Sequence, residues 1–413
     1  TESDPQLAPA WGNLANGYVQ LGKTKEAEIA CNKSIDLNPN LFKSHFLLAN
    51  ILLGQKKLQE AEIACRKSIA LNPNLFNSHF LLSTILIGQK KLQEAEQPLR
   101  KTIELNPDFF QAHSNLGSIL RDLGNLQQAE ESTRKVIELN PNLAEAYSNL
   151  GIILRDLGKP KDAEFSYRKA IDIKTNYPEA HYNLGNVLRD LGKLQDAEFS
   201  YRKAIDIKPD YPEAHLNLGN VLKDLGKLQD AEISTRKAIE INPNYPEAHS
   251  NLGIILRDLG KLQDAEFSYR KAIDIKPDFA EAHTNLGNVL KELGKSKDAE
   301  LSYLKAIEIT PDYAEAHSNL GVLFKDLGKL KEAELSTRKA IELNPKNEEI
   351  NHNLSLILLK TNNFKEGFNR YESRLRIGTK KPFIKSKPEW SPIKKGKVLL
   401  WAEQGIGDEI LFA

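Results

Sequence analysis

The chain has 413 residues, of which 27% are charged and 40% hydrophobic, and its formal net charge is +1. This composition is typical of a soluble helical protein and is too apolar for a disordered one. No apolar run of transmembrane length and no signal segment is present, so we expect no membrane contact and a cytoplasmic location. The chain begins at Thr1 and contains no methionine, and we therefore expect the native N-terminus to lie upstream.

A unit of 34 residues recurs through most of the chain, and its proline marks the period. We number the positions of a unit 1 to 34 and call them columns; column 1 falls at residue 8 and at every 34th residue up to 348, which gives eleven units. Thr175 replaces the proline once. The prolines on this period are Pro5, Pro39, Pro73, Pro107, Pro141, Pro209, Pro243, Pro277, Pro311 and Pro345.

Each unit has the pattern of two helices. In residues 178–211, Asn176 to Glu179 has the form of a capping box with Asn176 as the cap. Apolar and small side chains then recur at i, i+3, i+4 and i+7, which is one face of a helix. Gly192 suits the left-handed position that ends this helix, and a second apolar helix follows. We predict helix pairs, with about 12–14 residues in each helix and a length of about 20 Å.

Three columns carry residues that neighbouring helices need for packing. Column 7 is leucine from Leu14 to Leu354, column 8 is always small, and column 20 is alanine from Ala27 to Ala333. Together with the proline of column 32, this pattern resembles the tetratricopeptide repeat. The resemblance implies an all-α fold, a right-handed α-solenoid of about eleven helix-turn-helix repeats. In that reading residues 1–7 end a preceding repeat and residues 8–377 form the solenoid, with a degenerate last unit.

The first helices should line a concave groove, as they do in the family that the repeats resemble. Columns 2, 6, 9 and 13 are expected to face away from the packed side, as Glu179, Asn183, Asn186 and Asp190 do in one unit. Column 6 is asparagine in eight successive units, and an amide both donates to and accepts from a peptide backbone. The row resembles the superhelix of O-linked N-acetylglucosamine transferases, where such a ladder holds substrate chains. The alternative is a solvent-tolerant helix face without a ligand. We call these residues the asparagine ladder: Asn115, Asn149, Asn183, Asn217, Asn251, Asn285, Asn319 and Asn353.

Charges and histidines restrict the partner. Column 12 is basic from Arg121 to Lys325 and column 13 is acidic from Asp122 to Asp326. This mixture favours a protein or extended peptide over nucleic acid, which needs a basic, aromatic track. The histidines of column 4 should be about 10 Å apart, too far for a shared zinc ion, so we expect packing histidines, no metal and no cofactor.

The last residues leave the repeat pattern. Residues 378–397 form a basic, proline-containing linker, and residues 398–413 read as a strand, a glycine turn and the start of a helix. We expect such a turn to hold a phosphate at Gly405, Gly407 and Asp408, because backbone N–H groups and a helix N-terminus meet there. The segment resembles bacterial tetratricopeptide-repeat proteins fused to a glycosyltransferase-like, Rossmann-type domain. Residues 398–413 would then be the first strand and glycine loop of that domain, cut short at Ala413.

Two functions follow from these patterns. The first is a protein-interaction scaffold whose groove recruits substrates for a larger glycosyltransferase, with no catalysis by these 413 residues alone. The second is a non-enzymatic scaffold that self-associates through an open edge bearing Trp11, Leu14 and Tyr18. No catalytic residue is assigned in either case.

Overall fold

The structure, a computed structural model, describes residues 7–373. In that range the regular elements are helices in tandem pairs, and the described residues divide into two compact units, the first ending at Lys261 and the second beginning at Leu262. The first unit contains α1 (Ala8–Gln20), α2 (Thr24–Leu37), α3 (Phe42–Gly54), α4 (Leu58–Leu71), α5 (Phe76–Gly88), α6 (Leu92–Leu105), α7 (Phe110–Asp122), α8 (Leu126–Leu139), α9 (Ala144–Asp156), α10 (Pro160–Ile173), α11 (Pro178–Asp190), α12 (Leu194–Ile207), α13 (Pro212–Asp224), α14 (Leu228–Ile241) and α15 (Pro246–Asp258). The second contains α16 (Leu262–Ile275), α17 (Ala280–Glu292), α18 (Ser296–Ile309), α19 (Ala314–Asp326), α20 (Leu330–Leu343), α21 (Glu348–Lys360) and α22 (Phe364–Tyr371).

The helix lengths agree with the sequence pattern. The first helix of every repeat has 13 residues and the second has 14, down to the shorter α22. Within each of the two compact units, the two helices of a repeat pack on each other, and the second helix also packs on the first helix of the next repeat. This confirms an all-α solenoid arrangement. The alanines of column 20 are 0% exposed from Ala27 to Ala333. Column 7 is buried in most repeats, but Leu14 is 43% exposed.

Column 8 is small because a side chain of the second helix lies against it. A Cβ placed on Gly185 would be 2.7 Å from the ring of Tyr201, and Gly151 and Gly287 have the same relation to Tyr167 and Tyr303. These tyrosine rings are fully buried. The glycine therefore makes room for the largest side chain of the repeat core.

The turn between the two helices takes a left-handed residue, as predicted. Gly192 has φ 73°, and the equivalent glycines from Gly124 to Gly328 have φ between 71° and 81°. Repeats 2 and 3 differ, because Lys56 and Lys90 occupy this conformation with φ 62° and 61°. A residue with a Cβ is disfavoured there.

The predicted capping box is wrong. Helix α11 begins at Pro178 and its N-cap is Tyr177, which makes no side-chain capping hydrogen bond. The ring of a proline disfavours the helical conformation for the residue before it. Tyr177 is therefore the last non-helical residue, and Asn176 lies one position outside the cap.

Within each of the two compact units, the first helices of successive repeats lie closer to one another than the second helices do. The first helix of one repeat contacts that of the next, as in α1 with α3, α11 with α13 and α17 with α19, and no comparable contact joins second helices in the described repeats. The inner layer therefore consists of first helices, and the ladder lies on it.

Candidate functional site: the inner face of the first helices

All eight ladder asparagines are half-buried on first helices. Helical geometry places column 6 opposite columns 4, 8 and 11, which pack on the second helix. The ladder residues therefore lie along the inner layer of first helices in each of the two compact units. The structure also divides them into two groups by hydrogen bonding.

Three ladder asparagines donate to an asparagine 31 residues earlier, in column 9 of the preceding repeat. Asn217 Nδ2 lies 2.9 Å from Asn186 Oδ1, and it also lies 3.1 Å from the hydroxyl of Tyr182. Asn251 Nδ2 donates to Asn220 Oδ1 at 2.9 Å. Asn319 Nδ2 donates to Asn288 Oδ1 at 3.0 Å. We call Asn217, Asn251 and Asn319 the bonded ladder residues, because their donors link one repeat to the next.

The expectation that column 9 opens onto the groove is wrong for Asn186, which is 6% exposed. Its Oδ1 accepts from the hydroxyl of buried Tyr201 at 2.8 Å as well as from Asn217. Asn288 accepts from Tyr303 at 2.8 Å in the same way. A buried hydroxyl needs a hydrogen-bond partner. Asn186 and Asn288 supply that partner to the core tyrosines Tyr201 and Tyr303.

The other five ladder residues make no hydrogen bond with the described part of the chain, and none of their polar atoms is among the buried, unpartnered ones there. Column 9 of the preceding repeat offers them no amide, since it holds Thr84, Ser118, Ile152, Ile254 and Val322. Their amides keep both donor and acceptor groups for a ligand. We call these the free ladder residues: Asn115, Asn149, Asn183, Asn285 and Asn353.

The charged columns beside the ladder largely neutralise each other. Arg155 lies 3.1 Å from Asp190 in the next repeat, and Lys291 lies 2.9 Å from Asp326. Arg121 pairs with its neighbour Asp122 at 2.7 Å. Columns 12 and 13 therefore carry little unpaired charge, whereas the column 2 glutamates Glu179, Glu213, Glu247 and Glu281 form no ion pair in the described part of the chain. The inner face is polar, with an acidic side.

An aromatic cluster beside Asn217 was missed by the sequence reasoning. The ring of Tyr182 lies 5.0 Å from that of Tyr211, and burial raises the pKa of the Tyr211 hydroxyl. Tyr182 is the only aromatic residue of column 5 in repeats 4–10, and this departure could have signalled the cluster. It holds the Asn217 amide from a second side.

The histidines of column 4 have a structural role, as expected. In seven of them Nε2 lies within hydrogen-bond distance of the carbonyl oxygen of the column 32 proline, for example 3.0 Å between His215 and Pro209. Burial lowers the pKa of His181, His215 and His283. Between residues 7 and 373 no group of three or more candidate side chains could hold a metal ion.

The proposed phosphate loop at Gly405, Gly407 and Asp408, the linker and residues 398–413 lie outside the described residues. No helix among residues 7–373 has the length and apolar character needed to cross a bilayer.

Family models described as TPR repeat and tetratricopeptide repeat match residues 8–41, 42–75 and, in overlapping segments, 108–347. The chain belongs to the tetratricopeptide-repeat family. No curated protein matches it in sequence.

Solved structures of the family are similar to parts of the chain. A tetratricopeptide-repeat protein from Parabacteroides merdae is 22% identical over 60% of this chain and 98% of its own, with a TM-score of 0.50, and this likeness shows the fold. YrrB, described as a TPR protein with an unusual peptide-binding site, is 27% identical over 45% of this chain and 96% of its own, with a TM-score of 0.40. MamA is 28% identical over 40% of this chain and 97% of its own, with a TM-score of 0.38.

Proposed function

We propose that this tetratricopeptide-repeat chain is a protein-interaction scaffold that holds an extended polypeptide along the inner face of its first helices. The observation that carries the proposal is the row of free ladder amides, above all Asn115, Asn149 and Asn183 in three consecutive repeats. Each amide pairs with a backbone N–H and C=O whatever the ligand side chains are, so the site is selective for an extended backbone.

The spacing of the repeats suits this ligand. Successive first helices stand about 10 Å apart, and a chain in the extended polyproline II conformation has three residues per turn and advances about 3.1 Å per residue. Every third residue of the ligand would then meet one ladder residue. The charges of columns 12 and 13 are largely paired, and the glutamates of column 2 do not repel a neutral backbone.

The test compares two triple variants in a peptide-binding assay. The probe is a fluorescein-labelled 20-residue peptide of Gly, Ser, Thr and Asn, and a second version carries N-methyl groups on every third amide. Asn115→Ala/Asn149→Ala/Asn183→Ala should weaken binding of the first probe by roughly 10-fold or more, since each neutral hydrogen bond contributes about 0.5–1.5 kcal/mol.

The matched control changes three asparagines that face solvent elsewhere: Asn74→Ala/Asn142→Ala/Asn244→Ala, in the loops between repeats. This control variant should bind the plain probe with the affinity of the wild type. The methylated probe should bind the wild type weakly, with the same affinity that the plain probe has for the ladder variant. Equal affinity of the ladder variant and the wild type would refute the proposal.

A finer version of the proposal makes the groove the substrate-recruiting part of a glycosyltransferase. Its support is the resemblance of residues 398–413 to a glycosyltransferase-like domain. The test is transfer of radiolabelled sugar from a set of nucleotide sugars to a groove-binding peptide, by a protein in which the segment continues into such a domain. Transfer that is equal in the wild type and the ladder variant would contradict recruitment, and turnover by the 413 residues alone would contradict the division of labour.

Self-association is the second candidate function, and the exposure of Leu14 on α1 favours it. Leu7 is also exposed, at 41%, whereas Trp11 and Tyr18 of the expected edge are half-buried and pack on the core of the first repeat. Light scattering of the wild type and of Leu14→Glu at several concentrations tests it. A monomeric wild type would exclude this candidate and leave the peptide groove unaffected.

A further inference from the structure

The inner face changes its chemistry in repeats 2 and 3. Columns 12 and 13, which hold a basic and an acidic residue in repeats 4–10, hold Leu53 with Gly54 and Ile87 with Gly88. Column 6 holds Leu47 and Leu81 in place of asparagine. We call these six residues the apolar inner segment.

This segment is accessible in part. Leu47, Leu53 and Ile87 are half-buried, while Leu81 is 6% exposed. A Cβ on Gly54 would meet nothing within 4 Å, and one on Gly88 would meet only Leu58 at 3.5 Å. Packing therefore does not require either glycine, and the space above them is open.

The helix ends and turns of repeats 2 and 3 also differ from those of the later repeats. Glycine is a poor helix residue, yet Gly54 and Gly88 close the helices α3 and α5. The left-handed position two residues later is taken by Lys56 and Lys90, although every other described repeat turn from α7 to α20 places glycine there. Both departures coincide with the loss of the charged pair from the inner face.

We propose that the apolar inner segment binds an uncharged, apolar stretch of the same polypeptide that the free ladder residues hold. The inference rests on the proposed function. Columns 6, 12 and 13 of repeats 2 and 3 offer a charged ligand side chain no opposite charge in return for its lost water, whereas a leucine or phenylalanine would bury apolar surface against Leu53 and Ile87.

The geometry sets the distance between the two parts of the ligand. The centre of repeats 2–3 lies two and a half repeats from the centre of repeats 4–6, or about 25 Å at the packing distance of helices. An extended chain covers this distance with about eight residues. The ligand would therefore carry its apolar stretch about eight residues from the centre of its ladder-bound part.

The experiment uses three labelled 20-residue peptides: the polar peptide of Gly, Ser, Thr and Asn, and two versions that carry Leu-Phe-Leu at the N-terminal or the C-terminal end. One of the apolar-ended peptides should bind the wild type at least 10-fold more tightly than the polar peptide does. Leu53→Arg/Gly54→Asp/Ile87→Arg/Gly88→Asp, which installs the residues of repeats 4–6, should abolish this gain and leave the affinity for the polar peptide unchanged.

Two further proteins complete the design. Gly54→Asp/Gly88→Asp changes only residues that packing does not require, and it serves if the fourfold variant fails to fold by circular dichroism. The control Ile29→Arg/Ile63→Arg places charge on second-helix residues that are 69% and 71% exposed, and it should bind all three peptides like the wild type.

The outcomes separate the two proposals. If the polar peptide binds but neither apolar end improves affinity, or if the folded variants keep the gain, the apolar segment is not a binding site and the ladder proposal stands. If no peptide binds the wild type, both proposals are refuted.

Discussion

Asn217 donates its side-chain amide to Asn186 across 31 residues of sequence, at 2.9 Å. The same pairing recurs for Asn251 and Asn319, and in each case column 9 of the preceding repeat is asparagine. Column 9 therefore decides whether a ladder amide links two repeats or faces a ligand. The identical residues of column 6 do not have identical roles.

The first prediction concerns the shared acceptor. Asn186→Ala should destabilise the fold by about 1–3 kcal/mol, because it leaves the buried hydroxyl of Tyr201 without a partner. Asn220→Ala should cost less, about 1 kcal/mol, since the hydroxyl of Thr235 already donates to the carbonyl of Ala231. Urea unfolding of both variants measures the difference, and equal losses would contradict the hydrogen-bond scheme.

The second prediction concerns a substitution that occupies the amide of a free ladder residue without replacing that residue. Ile152→Asn should supply an acceptor to Asn183, as Asn186 does to Asn217, because residues 152 and 183 have the same spacing. Peptide affinity should fall by roughly 2- to 12-fold, the value of one hydrogen bond. Ile152→Val, which adds no acceptor, is the control for fluorescence titration. Undiminished binding in the asparagine variant would show that Asn183 does not contact the ligand.

The third prediction concerns glycines in two environments. Gly185→Ala should destabilise the fold by about 1–3 kcal/mol, because the new Cβ would lie 2.7 Å from the Tyr201 ring. Gly54→Ala should stabilise it by up to about 1 kcal/mol through helix propensity, since the site is open. Thermal unfolding distinguishes the two, and a loss of stability in Gly54→Ala would mean that packing requires this glycine.

The fourth prediction concerns the left-handed lysines. Lys56→Gly should stabilise the fold by about 1 kcal/mol, because glycine adopts this conformation without steric cost. The reverse change, Gly226→Lys, tests the same position in a later repeat, where φ is 76°, and should destabilise by a similar amount. A melting temperature that does not rise in Lys56→Gly would indicate that the lysine makes a compensating contact.

The fifth prediction concerns pH. Burial lowers the pKa of His181, His215 and His283 below the ordinary 6.5, so the folded state favours the neutral ring. The unfolded chain then takes up protons first, and the stability present above pH 6.5 is lost as the pH falls toward the folded pKa. The melting temperature should therefore drop between about pH 7 and 5.

The control for this pH dependence is taken from the chain itself. Tyr147 occupies column 4 in repeat 5, so His181→Tyr/His215→Tyr/His283→Tyr keeps a flat, partly polar ring and removes the titrating groups. The variant should show a weaker pH dependence over the same range. An unchanged slope would assign the effect to other groups.

Much of the fold could be predicted because its determinants are local and repeated. Each repeat has the same structural requirements at the same columns. They are visible in the sequence as the proline every 34 residues, the alanine of column 20 and the glycine at the left-handed turn, such as Gly192. The capping box at Asn176 was wrong, since α11 begins at column 1 with Tyr177 as its N-cap, and α3 and α9 begin at the same column without a proline. The predicted position of Asn186 was wrong because helical geometry alone ignores the side chain of Tyr201.

The sequence by itself determined the repeat, the helix pairs and the asparagine row, because periodic burial of apolar side chains depends on spacing along one chain. Only the tertiary structure decided which asparagines are available to a ligand. Asn183 and Asn217 have the same neighbours in their own helix face, but Asn217 meets an amide from the preceding repeat and Asn183 follows a repeat with isoleucine at that position. Hydrogen bonding depends on the distance and direction between atoms of different repeats.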